Sequence, residues 1–62
     1  MKDYIEERAI QIANYIIDEN ATVRQTAKRF GISKSTVHKD ITQTLKRTNQ
    51  ELYDRVKEVL EK

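Results

Sequence analysis

The side chains best suited to chemistry lie near the middle of the chain, around its only histidine. Ser35, His38 and Asp40 are the residue types of a hydrolytic triad, in which an acid orients the base that activates a nucleophile. On a helix Ser35 would neighbour His38, but Asp40 would lie about 200° around the axis from His38 and could not orient its ring. We therefore predict no catalytic residue here.

Metal and cofactor chemistry also lack the residues that they need. The sequence has no cysteine and one histidine, so a metal site would depend on carboxylates beside His38, and there is no glycine-rich phosphate loop. A chain of this size buries only about 60% of its unfolded surface, which leaves little room for a substrate pocket. We expect no enzyme, no metal, no cofactor and no small-molecule substrate.

Positive charge is concentrated between residues 22 and 47. This stretch has seven lysines and arginines against one aspartate, a net charge of +6, whereas residues 1–21 sum to −3 and residues 48–62 to −1. A positive segment between mildly acidic ones attracts a polyanion to one side of the molecule. Nucleic acid is the favoured partner, and the alternative is that the cations only solvate helix faces.

Four amphipathic helices are predicted to position these residues, in a single domain over residues 1–62. Hydrophobic residues make up 37% and charged residues 35% of the chain, with no proline and one glycine, which suits a small all-α bundle. Apolar residues recur at helical spacing in four segments. The predicted helices are approximately 4–19, 23–29, 34–47 and 49–61.

Capping residues and apolar stripes define these helices in more detail. The predicted N-terminal caps are Asp3 with Glu6, Thr22 with Gln25, Ser33 alone, and Thr48 with Glu51. The first helix should end near Glu19 and Asn20, since asparagine tolerates a left-handed backbone. The predicted inward residues are Ile5, Ala9, Ile12, Ala13, Ile16, Ile17, Val23, Ala27, Phe30, Val37, Ile41, Leu45, Leu52, Val56, Val59 and Leu60.

The only glycine, Gly31, falls between the second and third predicted helices. A short turn between steeply crossing helices needs a residue with positive φ, which glycine supplies. Ala27 is small where the helices would cross, and Val37 would fill the space beneath. This spacing is typical of a helix-turn-helix, and the alternative is an ordinary helical hairpin.

The third helix would direct Val37, Ile41 and Leu45 inward and a polar face outward. In a helix-turn-helix, the N-terminal part of this helix reaches base edges in the major groove of double-stranded DNA. Lysine and histidine can donate to guanine, and hydroxyl groups can meet several bases. The candidates for reading bases are Lys34, Ser35, His38, Lys39 and Thr42, and the alternative for His38 is a plain exposed histidine.

Phosphate contacts would come from residues beside the helix N-termini, whose amides favour anions. The candidates are Thr22, Arg24, Lys28, Ser33 and Thr36, with Lys46 and Arg47 reaching at most the flanking backbone. Asp40 would repel phosphate in the groove, so we expect it at the flank, accepting from Thr36 or from a cation of the second helix. For Tyr4, Tyr15, Phe30 and Tyr53 core packing is expected rather than base stacking.

The run Thr22-Val23-Arg24, Ala27-Lys28 and Phe30-Gly31-Ile32-Ser33-Lys34-Ser35-Thr36-Val37-His38-Lys39-Asp40-Ile41 closely resembles the stage III sporulation protein D family. Asp3-Tyr4-Ile5, Glu7-Arg8, Val56-Lys57-Glu58 and Leu60 extend the likeness over nearly the whole chain. These are DNA-binding transcriptional regulators of endospore-forming bacteria. The resemblance implies a sequence-specific factor that activates some genes and represses others in the mother cell. Family members typically carry a basic extension after the fourth helix, whereas this sequence ends at Glu61-Lys62.

The sequence also bears on the cellular location and the partners of the protein. The longest stretch without a charged residue is nine residues, Ala9 to Ile17, short of the roughly 20 that span a bilayer. With no signal or transit peptide pattern at Met1-Lys2-Asp3, we expect a cytoplasmic protein. The alternative function is a helical protein–protein interaction module with a basic patch, which predicts exposed apolar area on the first and fourth helices. Those helices could complete a monomer or form a two-fold interface.

Overall fold

Helices account for nearly all of the chain that the structure, a computed structural model, describes, which is residues 4–61. They are α1 (Tyr4–Glu19), α2 (Val23–Phe30), α3 (34–48) and α4 (Gln50–Leu60). Within the described residues there is no strand. The predicted all-α bundle is confirmed, and each predicted boundary lies within one residue of the observed one.

α3 differs from the regular helix that we predicted. It begins as an α-helix over Lys34–Lys39, continues as a π-helix over Asp40–Leu45 and ends with a turn over Lys46–Thr48. In the π-helical segment backbone N–H groups reach the carbonyl five residues back rather than four, as the N–H of Lys46 does to Ile41. The spacing of the apolar residues is the same in both forms, so it did not reveal the change.

Two of the predicted caps are confirmed in full. The hydroxyl of Thr22 accepts from the N–H of Gln25, and the Gln25 side chain accepts in return from the N–H of Thr22, both at 3.1 Å. The hydroxyl of Ser33 accepts from the N–H of Thr36 at 3.1 Å. These bonds satisfy amides that a helix leaves free in its first turn.

The predicted cap of the fourth helix is wrong by one residue. Thr48 belongs to the last turn of α3, and Asn49 takes the extended backbone of a cap, with φ −149° and ψ 91°. The side-chain oxygen of Asn49 accepts from the N–H of Leu52 at 3.1 Å. Asparagine caps at least as well as threonine, so α3 extends one residue further than predicted. The predicted cap at Asp3 lies outside the described residues.

Apolar side chains from all four helices meet in one core, and in this respect the sequence-based prediction is confirmed. The buried apolar residues are Ala9, Ile12, Ala13, Ile16, Ala21, Ala27, Val37, Ile41, Leu45 and Val56. All of them except Ala21 are predicted inward residues, and the other predicted ones are half-buried. Truncating a fully buried residue such as Leu45 to alanine typically costs about 2–5 kcal/mol, so this small core carries much of the stability.

The aromatic residues divide three to one. Tyr15, Phe30 and Tyr53 are half-buried, and the rings of Tyr15 and Phe30 meet edge to face with their centroids 5.8 Å apart. Tyr15 packs on the Phe30 ring, and core packing is confirmed for Phe30 and Tyr53, which lie against the buried cluster. It is wrong for Tyr4, which is 69% exposed and lies beside the guanidinium of Arg8, 6.0 Å from the ring centroid. Tyr4 begins α1, where no neighbouring helix covers it.

The capping difference between Asn49 and Thr48 gives a direct test of the last helix boundary. Asn49→Ala removes the oxygen that accepts from Leu52 and should cost about 1 kcal/mol, which lowers Tm by roughly 4–8 °C in a domain of this size. Thr48→Ala, its matched control, should change the stability by less than about 0.5 kcal/mol. Thermal unfolding followed by circular dichroism measures both, and equal losses would contradict the assignment.

Candidate nucleic-acid interface

The turn between α2 and α3 is built on a left-handed residue. Gly31 has φ 68° and ψ 36°, the conformation that glycine adopts with least strain. The N–H of Gly31 donates to the carbonyl of Lys28 at 3.3 Å, and the N–H of Ile32 donates to that of Ala27 at 2.9 Å. This pair of bonds is a Schellman motif, and Ile32 packs on the core beside it. The predicted bend at Gly31 is confirmed.

The N-terminal part of α3 presents an exposed cationic surface immediately after this turn. Lys34, Ser35 and Lys39 are all exposed, as is His38. Ser35 and Lys39 are four residues apart, so they lie on the same side of the helix. Val37 is fully buried beneath them and holds the helix against the core. The surface that the sequence predicts around residues 34–39 is therefore accessible.

Thr42, the fifth candidate for reading bases, has a different environment. It is half-buried, and its hydroxyl donates to the carbonyl of His38 at 2.8 Å. Thr42 and His38 line an open cleft with Tyr53 and Leu60 of α4. A threonine in a helix often bonds the carbonyl one turn earlier, and here that bond occupies its donor. Thr42 thus offers less to a ligand than Ser35 does.

The candidates for phosphate contact fall into two groups. Arg24 and Lys28 are exposed on α2, one turn apart, and neither side chain forms an ion pair within residues 4–61. The hydroxyl groups of the other three candidates are engaged at the helix N-termini instead. The hydroxyls of Thr22 and Ser33 accept hydrogen bonds from backbone N–H groups. The hydroxyls of Ser33 and Thr36 are hydrogen-bonded to each other at 2.9 Å. The cations are thus the freer of the two groups.

Three further cations lie near these residues. Lys46 and Arg47 are exposed at the end of α3, and the ammonium of Lys46 lies 5.8 Å from the centre of the Tyr53 ring. The guanidinium of Arg29 lies 6.0 Å from the ring centres of both Tyr15 and Phe30. Such contacts hold a cation in place without neutralising it. We did not single out Arg29 from the sequence, although its charge belongs to the same basic segment.

Asp40 pairs with a residue that we did not predict. Its carboxylate accepts from Nε of Arg8 at 2.7 Å and from Nη2 at 3.2 Å, so its partner lies in α1 and is neither Thr36 nor a cation of α2. Asp40 is buried and is the first residue of the π-helical segment. The hydrogen bond to Asp40 raises the pKa of the Arg8 guanidinium above its usual value. The Arg8 guanidinium is therefore held more firmly in its cationic form.

No group of three or more histidine, cysteine, aspartate or glutamate side chains in residues 4–61 is arranged to hold a metal ion. None of the helices described is long and apolar enough to cross a membrane.

α2, the Schellman turn and α3 form a helix-turn-helix within an all-α bundle, and this is the class of protein that the fold defines. Similarity to known proteins identifies the family of this chain. The chain belongs to the stage III sporulation protein D family, whose family model matches residues 2–62. A stage III sporulation protein D of Bacillus subtilis (strain 168) is 54% identical over 61 residues. The match takes in 98% of this chain and 66% of that relative, and it confirms the predicted resemblance.

The left-handed backbone of Gly31 can be tested by substitution. A Cβ atom at this position would meet nothing within 4 Å, so the penalty of Gly31→Ala comes from φ alone. We expect it to destabilise the protein by about 1–2 kcal/mol, the cost of a left-handed conformation for an ordinary residue. Gly31→Asn should cost less, since asparagine tolerates this conformation. Urea unfolding measures both variants, and a neutral Gly31→Ala would exclude the strain.

Proposed function

We propose that the protein is a sequence-specific regulator of transcription in sporulation, which binds double-stranded DNA by inserting α3 into the major groove. The observation that carries this proposal is the exposure of Lys34, Ser35 and Lys39 beside the turn at Gly31, while Asp40, the one acid of the basic segment, is buried. Membership of the stage III sporulation protein D family supports it. Activation of some genes and repression of others is the mode of regulation that we infer from this family.

The arrangement of charge favours a polyanion over other partners. Seven exposed cations lie on α2 and α3, namely Arg24, Lys28, Arg29, Lys34, Lys39, Lys46 and Arg47. In residues 22–47 the only acid is Asp40, which Arg8 neutralises. A phosphate backbone that approaches this side would therefore meet no exposed carboxylate from the same segment. Phosphate contacts supply most of the affinity of such an interface, and base contacts supply its specificity.

Base reading would depend on the first turns of α3. Ser35 and Lys39 lie on one side, and Lys34 and His38 follow the same four-residue spacing beside them. The small side chain of Ser35 permits close approach of the groove edge, and the ammonium of Lys39 can donate to guanine O6 and N7. Thr42 remains a candidate that a rotation of its side chain would make available. Arg24 and Lys28 are assigned to phosphates beside α2.

The alternative of a protein–protein interaction module predicts exposed apolar area on α1 and α4. Among the large hydrophobic residues in the described part of the chain, Tyr4 alone is exposed. Leu52, Val56, Val59 and Leu60 of α4 are buried or half-buried against the core. These observations favour DNA as the partner.

The salt dependence of binding tests the proposal. If about five phosphates are neutralised, log K should fall with log salt concentration at a slope of about −4 to −5. Fluorescence anisotropy with labelled duplex DNA over a series of KCl concentrations measures this slope. A slope near zero would show that binding does not neutralise phosphates, and it would contradict the proposal.

Binding to duplexes selected from a random pool supplies the target sequence, and a palindromic target would indicate a dimer.

The two kinds of contact should respond differently to substitution. Lys39→Ala should reduce the preference for the selected target by about 1–3 kcal/mol, because a base contact is lost. Arg24→Ala should weaken binding to all duplexes about equally and make the salt slope less steep by about 1. Arg55→Ala removes an exposed cation of α4 outside the proposed interface and should change neither quantity. If Lys39→Ala and Arg24→Ala behave alike, the assignment of contacts is wrong.

A further inference from the structure

The carboxylate of Asp40 is unusual because it is a charge inside the core. Asp40 is only 4% exposed and stands between Val37 and Ile41, which belong to the apolar core cluster. Burying an unpaired carboxylate would be costly, so its partner determines whether this arrangement is stable. Arg8 meets the two carboxylate oxygens with two different nitrogen atoms. This two-point geometry constrains orientation as well as distance, which a single contact would not do.

The position of Asp40 along α3 is equally specific. It is the residue at which the α-helical part, Lys34–Lys39, gives way to the π-helical part, Asp40–Leu45. A π-helical turn contains one residue more than an α-helical turn. Since each residue of an α-helix turns the chain by about 100°, Lys46 and Arg47 are rotated by roughly that angle from where a regular helix would place them.

Arg8 connects this point of α3 to a different helix. The two residues of the pair are 32 positions apart in sequence, and the pair is the salt bridge that the structure gives between α1 and α3 within residues 4–61. The guanidinium of Arg8 also lies beside the Tyr4 ring, 6.0 Å from its centre. α1 is held in turn by its own buried residues, Ile12 and Ile16. Arg8 is thus a fixed point against which α3 is oriented.

We propose that the Arg8–Asp40 pair positions the DNA-binding surface by holding α3 in its mixed α and π form. This inference depends on the proposed function. With the pair in place, the cations before Asp40 and those after it, Lys46 and Arg47, meet the same duplex. Without the pair, α3 can relax to regular α-helical bonding, and the two groups of cations no longer face one duplex together. Arg8 and Asp40 are positioning residues and do not touch DNA themselves.

An electrostatic effect and a positioning role predict opposite changes in DNA binding when Asp40 is neutralised. Asp40→Asn removes a negative charge from the basic segment, so electrostatics alone predicts tighter binding to every duplex. The positioning role predicts that binding to the target weakens relative to binding to other sequences. The ratio of target affinity to non-specific affinity, measured at one salt concentration, therefore separates the two explanations.

The experiment compares Asp40→Asn with a matched control, Asp18→Asn. Asp18 is exposed on α1, so the control makes the same chemical change and the same change of net charge outside the pair. Fluorescence anisotropy gives the affinity of each variant for the selected target and for an unrelated duplex, at a temperature at which circular dichroism shows each variant to be folded. We expect Asp40→Asn to lower the ratio about tenfold, the discrimination of roughly one base pair, with non-specific affinity equal to or above that of the original chain. Asp18→Asn should leave the ratio unchanged.

Arg8→Lys provides a second variant in case Asp40→Asn does not fold. It keeps both charges but removes the two-point contact, because an ammonium cannot reproduce the guanidinium fork. A lower ratio with unchanged non-specific affinity would support the positioning role. An unchanged ratio in the folded variants, or an equal loss of target and non-specific affinity, would overturn it. If the original chain binds no duplex, the proposed function itself fails, and this inference fails with it.

Discussion

The ion pair of a buried carboxylate constrains how two helices of this small bundle pack. The core contains only a few apolar side chains, and Asp40 lies among them on α3. Removing that charge from water is compensated by Arg8, whose two nitrogen atoms lie 2.7 and 3.2 Å from the carboxylate oxygens. Because Arg8 belongs to α1 and Asp40 to α3, neutralising the charge also fixes how these two helices pack. The same pair removes the one acid of residues 22–47 from the surface, so the cations of this segment are exposed while its carboxylate is not.

Features that depend on neighbouring residues could be predicted from the sequence. The capping box of Thr22 and Gln25, the cap at Ser33 and the left-handed turn at Gly31 each involve atoms within about five positions of one another. Local backbone chemistry decides such features with little help from the rest of the fold. The exposure of Lys34 and Lys39 follows in the same way, because Val37 between them must face the core. The residues available to a ligand on α3 were therefore largely predictable, whereas their contacts with DNA remain a prediction.

Three features could not be predicted from the sequence, namely the cap of α4, the π-helical segment and the partner of Asp40. Thr48 and Asn49 are adjacent residues of similar capping ability, so the sequence alone does not decide which of them caps α4. The π-helical segment leaves the four-residue spacing of the apolar residues intact, so periodicity does not reveal it. The partner of Asp40 is 32 positions away. A weak signal for that pair did exist, since Arg8 and Asp40 are each among the few charges of opposite sign in their own segment.

The π-helical segment also affects how the chain tolerates insertions and deletions in α3. A turn with one additional residue is equivalent to a single-residue insertion that the helix has absorbed locally, without passing the offset to the Asn49 junction. Deleting one residue within 41–44 would then restore an ordinary helix and leave α4 in place. In this chain, the third helix can therefore change by one residue without altering the loops on either side.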